Sequence, residues 1–389
     1  MKSRLPLRFA LLAAMVIGCA RPAGISPTAS SPSPQDSQPA PLASAQGAEP
    51  STPANDGLLD AGTSGDVAWA IADVGLEVST DLGDTWTVIS PATLDPKQIL
   101  SVDLAAWPTG YVAAAGVDGT LMVMKTLDSG TTWTTQPVEA TSPDGVGRVS
   151  LQVVGDKVEY LALTLPSSSA SSVGSLLSSE DGGATWTQRD LPAGGEISFS
   201  TPLDGWLQGG PLDSQLFHTT DAGLSWEPVV VAAPQSPIDE SVGLQLPIVA
   251  EGQLVMPARL FNNGGGPLMV EAFTSRDEGK NWKLQGPAER LADEGVSAPV
   301  AAASDLLVAV ASGGFVVSTD AGASYKRVDA RGPDPAKIAS ISILGDRTIL
   351  ALESTNGCTT FKADCSISNV LWRSEDGAVT WAALDVSPG

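Results

Sequence analysis

Short runs in which apolar and polar residues alternate fill most of this chain, and turn residues cut the runs every few positions. Gly57-Leu-Leu-Asp-Ala, Asp66-Val-Ala-Trp-Ala-Ile-Ala, Leu76-Glu-Val-Ser and Thr85-Trp-Thr-Val-Ile read as four successive strands, broken at Gly62, Asp73, Gly75 and Gly83. Period-two alternation bounded by Gly and Asp is the mark of half-buried strands. The frame returns in Ile197-Ser-Phe, Gly205-Trp-Leu-Gln, Gln215-Leu-Phe-His and Ser225-Trp-Glu-Pro-Val. It returns again in Ala298-Pro-Val-Ala, Leu306-Leu-Val-Ala-Val, Phe315-Val-Val-Ser and Ser324-Tyr-Lys-Arg-Val. Helical periodicity is nearly absent from residue 57 onward.

Between the third and fourth strands of each unit lies one box: Ser/Thr, any residue, Asp, any, Gly, any, Thr/Ser/Asn, aromatic. Seven copies start at Ser79, Thr126, Ser179, Thr219, Ser275, Ser318 and Ser374, the last reading Ser-Glu-Asp-Gly-Ala-Val-Thr-Trp. Their aspartates are Asp81, Asp128, Asp181, Asp221, Asp277, Asp320 and Asp376. A repeat of this length is read as an array before any single residue is interpreted. Asp and Ser/Thr side chains satisfy backbone N–H groups in a tight turn, and glycine supplies a conformation that a Cβ disfavours. The aromatic, expected to enter the fourth strand, buries apolar surface between neighbouring units. Trp86, Trp133, Trp186, Trp226, Trp282 and Trp381 hold this position, with Tyr325 in the sixth copy. The boxes are therefore folding devices. A calcium loop is excluded because no ligand ladder or distal bidentate Glu follows the Asp.

Seven four-stranded antiparallel units predict an all-β fold, a seven-bladed β-propeller over residues 57–389; an open β-solenoid is the structural rival. Ring closure stays open. No spare terminal strand is visible, so closure rests on sheet packing unless residues near Thr52 to Gly57 add a strand.

At the boxes the chain resembles the Asp-box, or BNR-repeat, propeller superfamily, which includes sialidases, xyloglucanases, sortilin-type receptors and photosystem II assembly factors. The segment Asp204-Gly-Trp-Leu-Gln-Gly-Gly before Leu216-Phe-His-Thr-Thr-Asp-Ala-Gly looks most like the assembly-factor branch, with sortilin-like propellers also near. The resemblance implies the fold across all seven units, but the box is shared across these functions and specifies no chemistry. The Arg-Ile-Pro motif of sialidases is absent, so no sialidase residue carries over. Xyloglucanases resemble two such propellers, where this chain has room for one. The assembly factors carry an arginine patch, whereas this chain has a net charge of −23.

That charge argues against nucleic acid and anionic headgroups and favours cationic or neutral partners. The first 18 residues combine Lys2, Arg4 and Arg8 with an apolar run from Phe9, the pattern of a secretory signal too short to span a bilayer. It ends in Val16-Ile17-Gly18-Cys19, which resembles the bacterial lipobox and implies lipidation of Cys19. Ala20 after the cysteine resembles an outer-membrane sorting signal. Residues 19–56, rich in Pro, Ser and Ala, lack the side chains to offset the ordering entropy of a core and read as a tether. The expected location is the cell envelope, with the domain held at a cell or outer membrane and exposed to the periplasm or exterior. Cys358 and Cys365 are left as a pair, and their spacing in an exported chain suggests a disulfide.

Direct chemistry is sparse. His218 is the only histidine and reads as structural, since no Cys or second His stands near it to share a metal. No Ser-His-Asp system, phosphate loop or dinucleotide fingerprint is present, and no metal or cofactor is implied. If the boxes mark one face, the irregular segments Pro166–Gly174, Asn262–Pro267 and Ser354–Asn369 lie on the other, joined by the links between units. Long loops on one face of a rigid scaffold are where binding resides. The ligand-face candidates are Asp239, Glu240, Asn262, Asn263, Arg290, Asp293, Glu294, Lys362 and Asp364, with Glu289, Asp334 and Phe361 beside them. The expectation is a monomeric, non-catalytic platform for a protein or carbohydrate ligand. The alternatives are a glycoside hydrolase using two loop carboxylates and a purely structural envelope protein.

Overall fold

A computed structural model describes residues 57–116, 118–139, 148–155, 158–164, 174–231, 240–262, 269–291, 299–356 and 367–386. Seven antiparallel sheets follow one another along the chain, each with its strands paired in sequence order. This is the seven-bladed β-propeller, with three short 3-10 turns and no α-helix among the described residues. Blade one comprises Leu58–Ser64, Val67–Ala72, Gly75–Ser79 and Thr87–Val88. Blade four comprises Gly195–Phe199, Gly205–Gly209, Gln215–Thr219 and Glu227–Pro228. The first strands of neighbouring blades meet one another, so they line the axis and the fourth strands form the rim. Rim strands of two residues, as in Thr87–Val88, Glu227–Pro228 and Lys283–Leu284, leave little edge for another chain to pair with.

Blade five departs from the simple frame. Its first strand is split into Glu240–Leu244 and Ile248–Ala250, both paired with the long strand Gln253–Asn262. The break contains Pro247, which has no N–H to give to a ladder. The added pair Glu289–Arg290 extends the rim against Met269–Ser275.

Each box forms the same turn. In blade one Ser79 Oγ donates to Asp81 Oδ1 at 2.8 Å and accepts from Gly83 N at 2.8 Å. Asp81 Oδ1 accepts from Thr85 N at 2.9 Å, and Oδ2 from the Thr85 hydroxyl at 2.6 Å. These bonds favour the charged carboxylate. With the hydroxyl of Thr85, Thr185 or Ser225, or the Asn281 amide, as the largest cause, Asp81, Asp181, Asp221 and Asp277 are held at a pKa of about 2. Asp128 and Asp376 are lowered for the same reasons. The glycine position has positive φ in every blade, +91° at Gly83, but in the seventh box it is the fully buried Ala378 at +67°. The aromatic does not enter the fourth strand: that strand starts one residue later, as at Thr87, Glu227 and Lys326. The reason is local. The indole N–H of Trp86 turns back to the Gly83 carbonyl at 3.1 Å, and Trp133, Trp186 and Trp381 do the same in their boxes.

The ring closes without strand exchange, because every described strand of blade seven comes from the C-terminal part of the chain and every one of blade one from the N-terminal part. Leu58, Ala61 and Ala70 pack on Leu344, Leu352, Leu371 and Leu384 in one buried cluster. Asn369 Nδ2 donates to the carbonyls of Leu58 and Leu59 at 2.9 and 3.2 Å. The sequence placed Asn369 in a loop insertion. It lies instead within the strand Ile367–Ser374, opposite Ser354 on Thr348–Asn356.

Candidate site at the channel mouth

The face opposite the boxes opens into a cavity of about 460 Å3 at the axial channel, lined from blades three to seven. Glycines draw its blade-four wall together. A Cβ on Gly195 would lie 1.7 Å from the Gln208 carbonyl oxygen, so the first two strands approach at this end as no other residue allows. Gly210, at φ +77°, then starts the 3-10 turn Pro211–Asp213 and delivers Asp213 to the mouth. Arg259 reaches the same place from the middle of Gln253–Asn262, where a charged residue interrupts an otherwise apolar inner strand.

The polar groups are unevenly satisfied. Arg259 Nη2 lies 3.6 Å from Asp213 Oδ2, and its guanidinium carbon sits 5.6 Å from the Phe261 ring centre. Its Nε is buried and has no hydrogen-bond partner among the described residues. Arg148 and Glu196 pair at 3.5 Å at the exposed edge. Gln245 Nε2 donates to the Val300 carbonyl at 3.3 Å, linking blades five and six. Gln208 is nearly buried and lines the cavity beside them. A buried donor without an acceptor costs on the order of 1–3 kcal/mol. The mouth therefore presents guanidinium and amide donors to an incoming acceptor, while both of its carboxylates already face an arginine.

Of the residues singled out in the sequence, Glu240 and Asn262 are cross-strand partners at the same end of blade five. Arg290 lies on the rim of that blade, opposite Met269, and its carbonyl accepts from Arg327. Asp334 caps a 3-10 turn by accepting from Ala336 N at 3.1 Å, and pairs with Lys337 at 3.2 Å. None of these four lines the channel mouth. Cys19, Asp239, Asn263, Asp293, Glu294, Cys358, Phe361, Lys362, Asp364 and Cys365 lie outside the described residues. Arg148, Glu196, Gln208, Asp213, Gln245 and Arg259 were not singled out by sequence reasoning. The available signal was a polar residue inside an apolar strand, at Gln208 and Arg259. His218 Nε2 lies 3.1 Å from Asp204 Oδ2 at the blade-four hairpin. Among the described residues no group of three or more His, Cys, Asp or Glu is placed to hold a metal ion.

Fold and site together define the class: a single seven-bladed β-propeller with a polar mouth opposite its boxes. No protein-family model matches the chain, and no curated protein matches its sequence. Among solved structures it is similar to "YCF48 bound to D1 peptide", with TM-score 0.51 and 15% identity over 83% of this chain and 93% of that one. Lower similarity extends to the alpha-L-arabinanase of Penicillium chrysogenum complexed with arabinobiose, with TM-score 0.43 and 15% identity over 72% of this chain and 95% of that one. It extends further to the GH74 xyloglucanase of Xanthomonas campestris, with TM-score 0.37 and 15% identity over 86% and 69%. At 15% identity the likeness to the first of these is one of fold alone.

Proposed function

We propose that this protein is an exported propeller, anchored through Cys19, that binds a segment of a partner protein at its channel mouth without catalysis. The observation that carries the reading is the buried Arg259 Nε, without a partner among the described residues, in a 460 Å3 polar cavity on the face opposite the boxes. A carbonyl or carboxylate of a bound peptide would satisfy it, with Arg148 and the Gln208 amide within the same mouth. The similarity to a propeller with a bound peptide supports this choice over a glycan. The leader, the Cys19 box and the Pro/Ser-rich tether support the membrane-held location.

Binding of a fluorescent peptide panel to the full chain tests it. Peptides with a free or side-chain carboxylate bind, and Arg259→Gln weakens them about tenfold, as loss of a charge-assisted hydrogen bond does. No binding from the panel, or binding indifferent to Arg259→Gln, rejects the site. Turnover of a glycan panel that disappears in Glu196→Gln or Asp213→Asn replaces the binding reading with hydrolysis. Fatty-acid labelling that persists in Cys19→Ala rejects the anchor.

A further inference from the structure

The box face holds a separate cavity of about 430 Å3 between the hairpin tips of blades four and five and the fifth box. Its floor is the Trp206–His218 pair, stacked with ring centres 4.1 Å apart and planes 17° apart. Both rings are held from behind. A Cβ on Gly279 would lie 2.2 Å from the Trp206 ring, so the fifth box abuts that indole directly. Trp282 meets Trp206 edge-on at 6.0 Å. His218 is tied to Asp204, whose other carboxylate oxygen accepts from Ser200 Oγ at 2.9 Å.

The lining mixes Trp206, Val249 and Leu254 with polar Ser198, Ser200, Thr201 and Gln253. Val249 lines the cavity while 64% exposed, and Leu203 and Leu224 on the adjoining blade-four turns are 58% and 67% exposed. Leu203 is fixed there because Ala222 N donates to its carbonyl at 3.0 Å, joining the hairpin tip to the fourth box. A rigid aromatic floor with one exposed aliphatic side chain, Val249, at its edge suits a single buried anchor. The charges at the rim are Asp204 and Glu278 against Arg276, whose Nε is held by Gln253 Oε1 at 3.1 Å, with Lys280 3.5 Å from Glu278 just outside. The net charge of −23 on the whole chain favours a cationic neighbour over an anionic one.

We propose that this trough is a second recognition site, which takes an aromatic or long aliphatic side chain of a partner polypeptide carrying a lysine or arginine beside it. The site is independent of the channel mouth, on the opposite face.

The chain has one histidine, so its imidazole proton signals report the floor directly. The full chain is titrated with N-acetyl-Trp-Lys-amide and with N-acetyl-Trp-Glu-amide at millimolar concentration. The lysine dipeptide shifts the imidazole signals and binds several-fold tighter than the glutamate dipeptide. Val249→Asp, at an exposed position that does not threaten the fold, weakens it about tenfold, the loss of one rim contact of an anchor pocket. Val74→Asp, at a similarly exposed apolar position on blade one, leaves it unchanged. Unmoved imidazole signals, equal affinity for the two dipeptides, or insensitivity to Val249→Asp overturns the proposal. A response to methyl glycosides in place of the dipeptides also overturns it, assigning the trough to sugars.

Discussion

The seam between blades seven and one and the seam between blades four and five are built from the same parts and finished differently. At the closing seam, Asn369 donates to two carbonyls of blade one, and Arg373 Nη1 donates to the Leu82 carbonyl at 2.8 Å and Asp84 Oδ1 at 2.6 Å. Thr63 Oγ1 donates to the Ile343 carbonyl at 3.1 Å, and Trp86 N–H is satisfied within its box. Blades four and five meet over an apolar cluster and the 3.6 Å Arg259–Asp213 pair, and the Trp282 N–H is buried without a partner. Cavities open on this seam at the box face, at the mouth and at the rim beside Val230. The difference follows from connectivity. The chain itself joins blades four and five, whereas blades seven and one are the ends of the array and must be held by contacts that offset the loop-closure entropy. A covalently joined seam can be left hollow, and that is where both proposed binding sites lie.

The largest predicted effect tests what the two seams share. The box aspartates at both, Asp81 and Asp277, are held at about 2. A folded pKa below the unfolded value of about 3.9 gives stability that is present above that value and lost as pH falls toward 2. Acid titration followed by near-UV circular dichroism should therefore show one cooperative loss between about pH 4 and pH 2. Two separated transitions would mean that the seams do not open together.

Next is Asn369→Leu. It strips the donor from two blade-one carbonyls, but also removes the buried, unpartnered Asn369 Oδ1. The net cost in urea unfolding is about 2 kcal/mol. Gln245→Leu, which removes the Val300 bond between blades five and six at the open mouth, costs under about 1 kcal/mol. Equal costs would show that the closing seam is held no more tightly than an internal one. Ala378→Gly relieves the positive φ in the seventh box, which packs on blade six, and raises stability by up to about 1 kcal/mol. An unchanged midpoint would show that the blade-seven backbone carries no strain there. The last test is a pair. Trp86→Phe loses the bond to the Gly83 carbonyl and costs about 1 kcal/mol more than Trp282→Phe, whose indole N–H has nothing to lose. The reverse order of thermal midpoints would place the tighter seam at blades four and five.

The blades were legible because each depends on local contacts. Box spacing, alternation and turn residues lie within one unit, so the strands of blades one, four and six fall within a few residues of where the pattern puts them. Asn369 was misplaced because Ser354 to Asn369 looks irregular in isolation. Its ends become strands once Asn356 pairs with Ile367 and Asn369 finds carbonyls more than 300 residues away in sequence. The candidate site was legible only as a face. Long loops pointed to the side opposite the boxes, but the residues that line the mouth are on the inner strands and adjoining turns of five blades. No spacing rule in one dimension brings Arg148, Asp213 and Arg259 together.

By itself the sequence determined the number of blades, the turn that each box makes and the ionised state of its aspartate. All of these are bonds between residues at most a few positions apart. Tertiary structure alone decided how the ring shuts, which aromatic N–H groups are satisfied and where cavities remain. Those depend on how neighbouring sheets fit face to face, and packing of that kind is set by side-chain volumes from distant segments rather than by any local pattern.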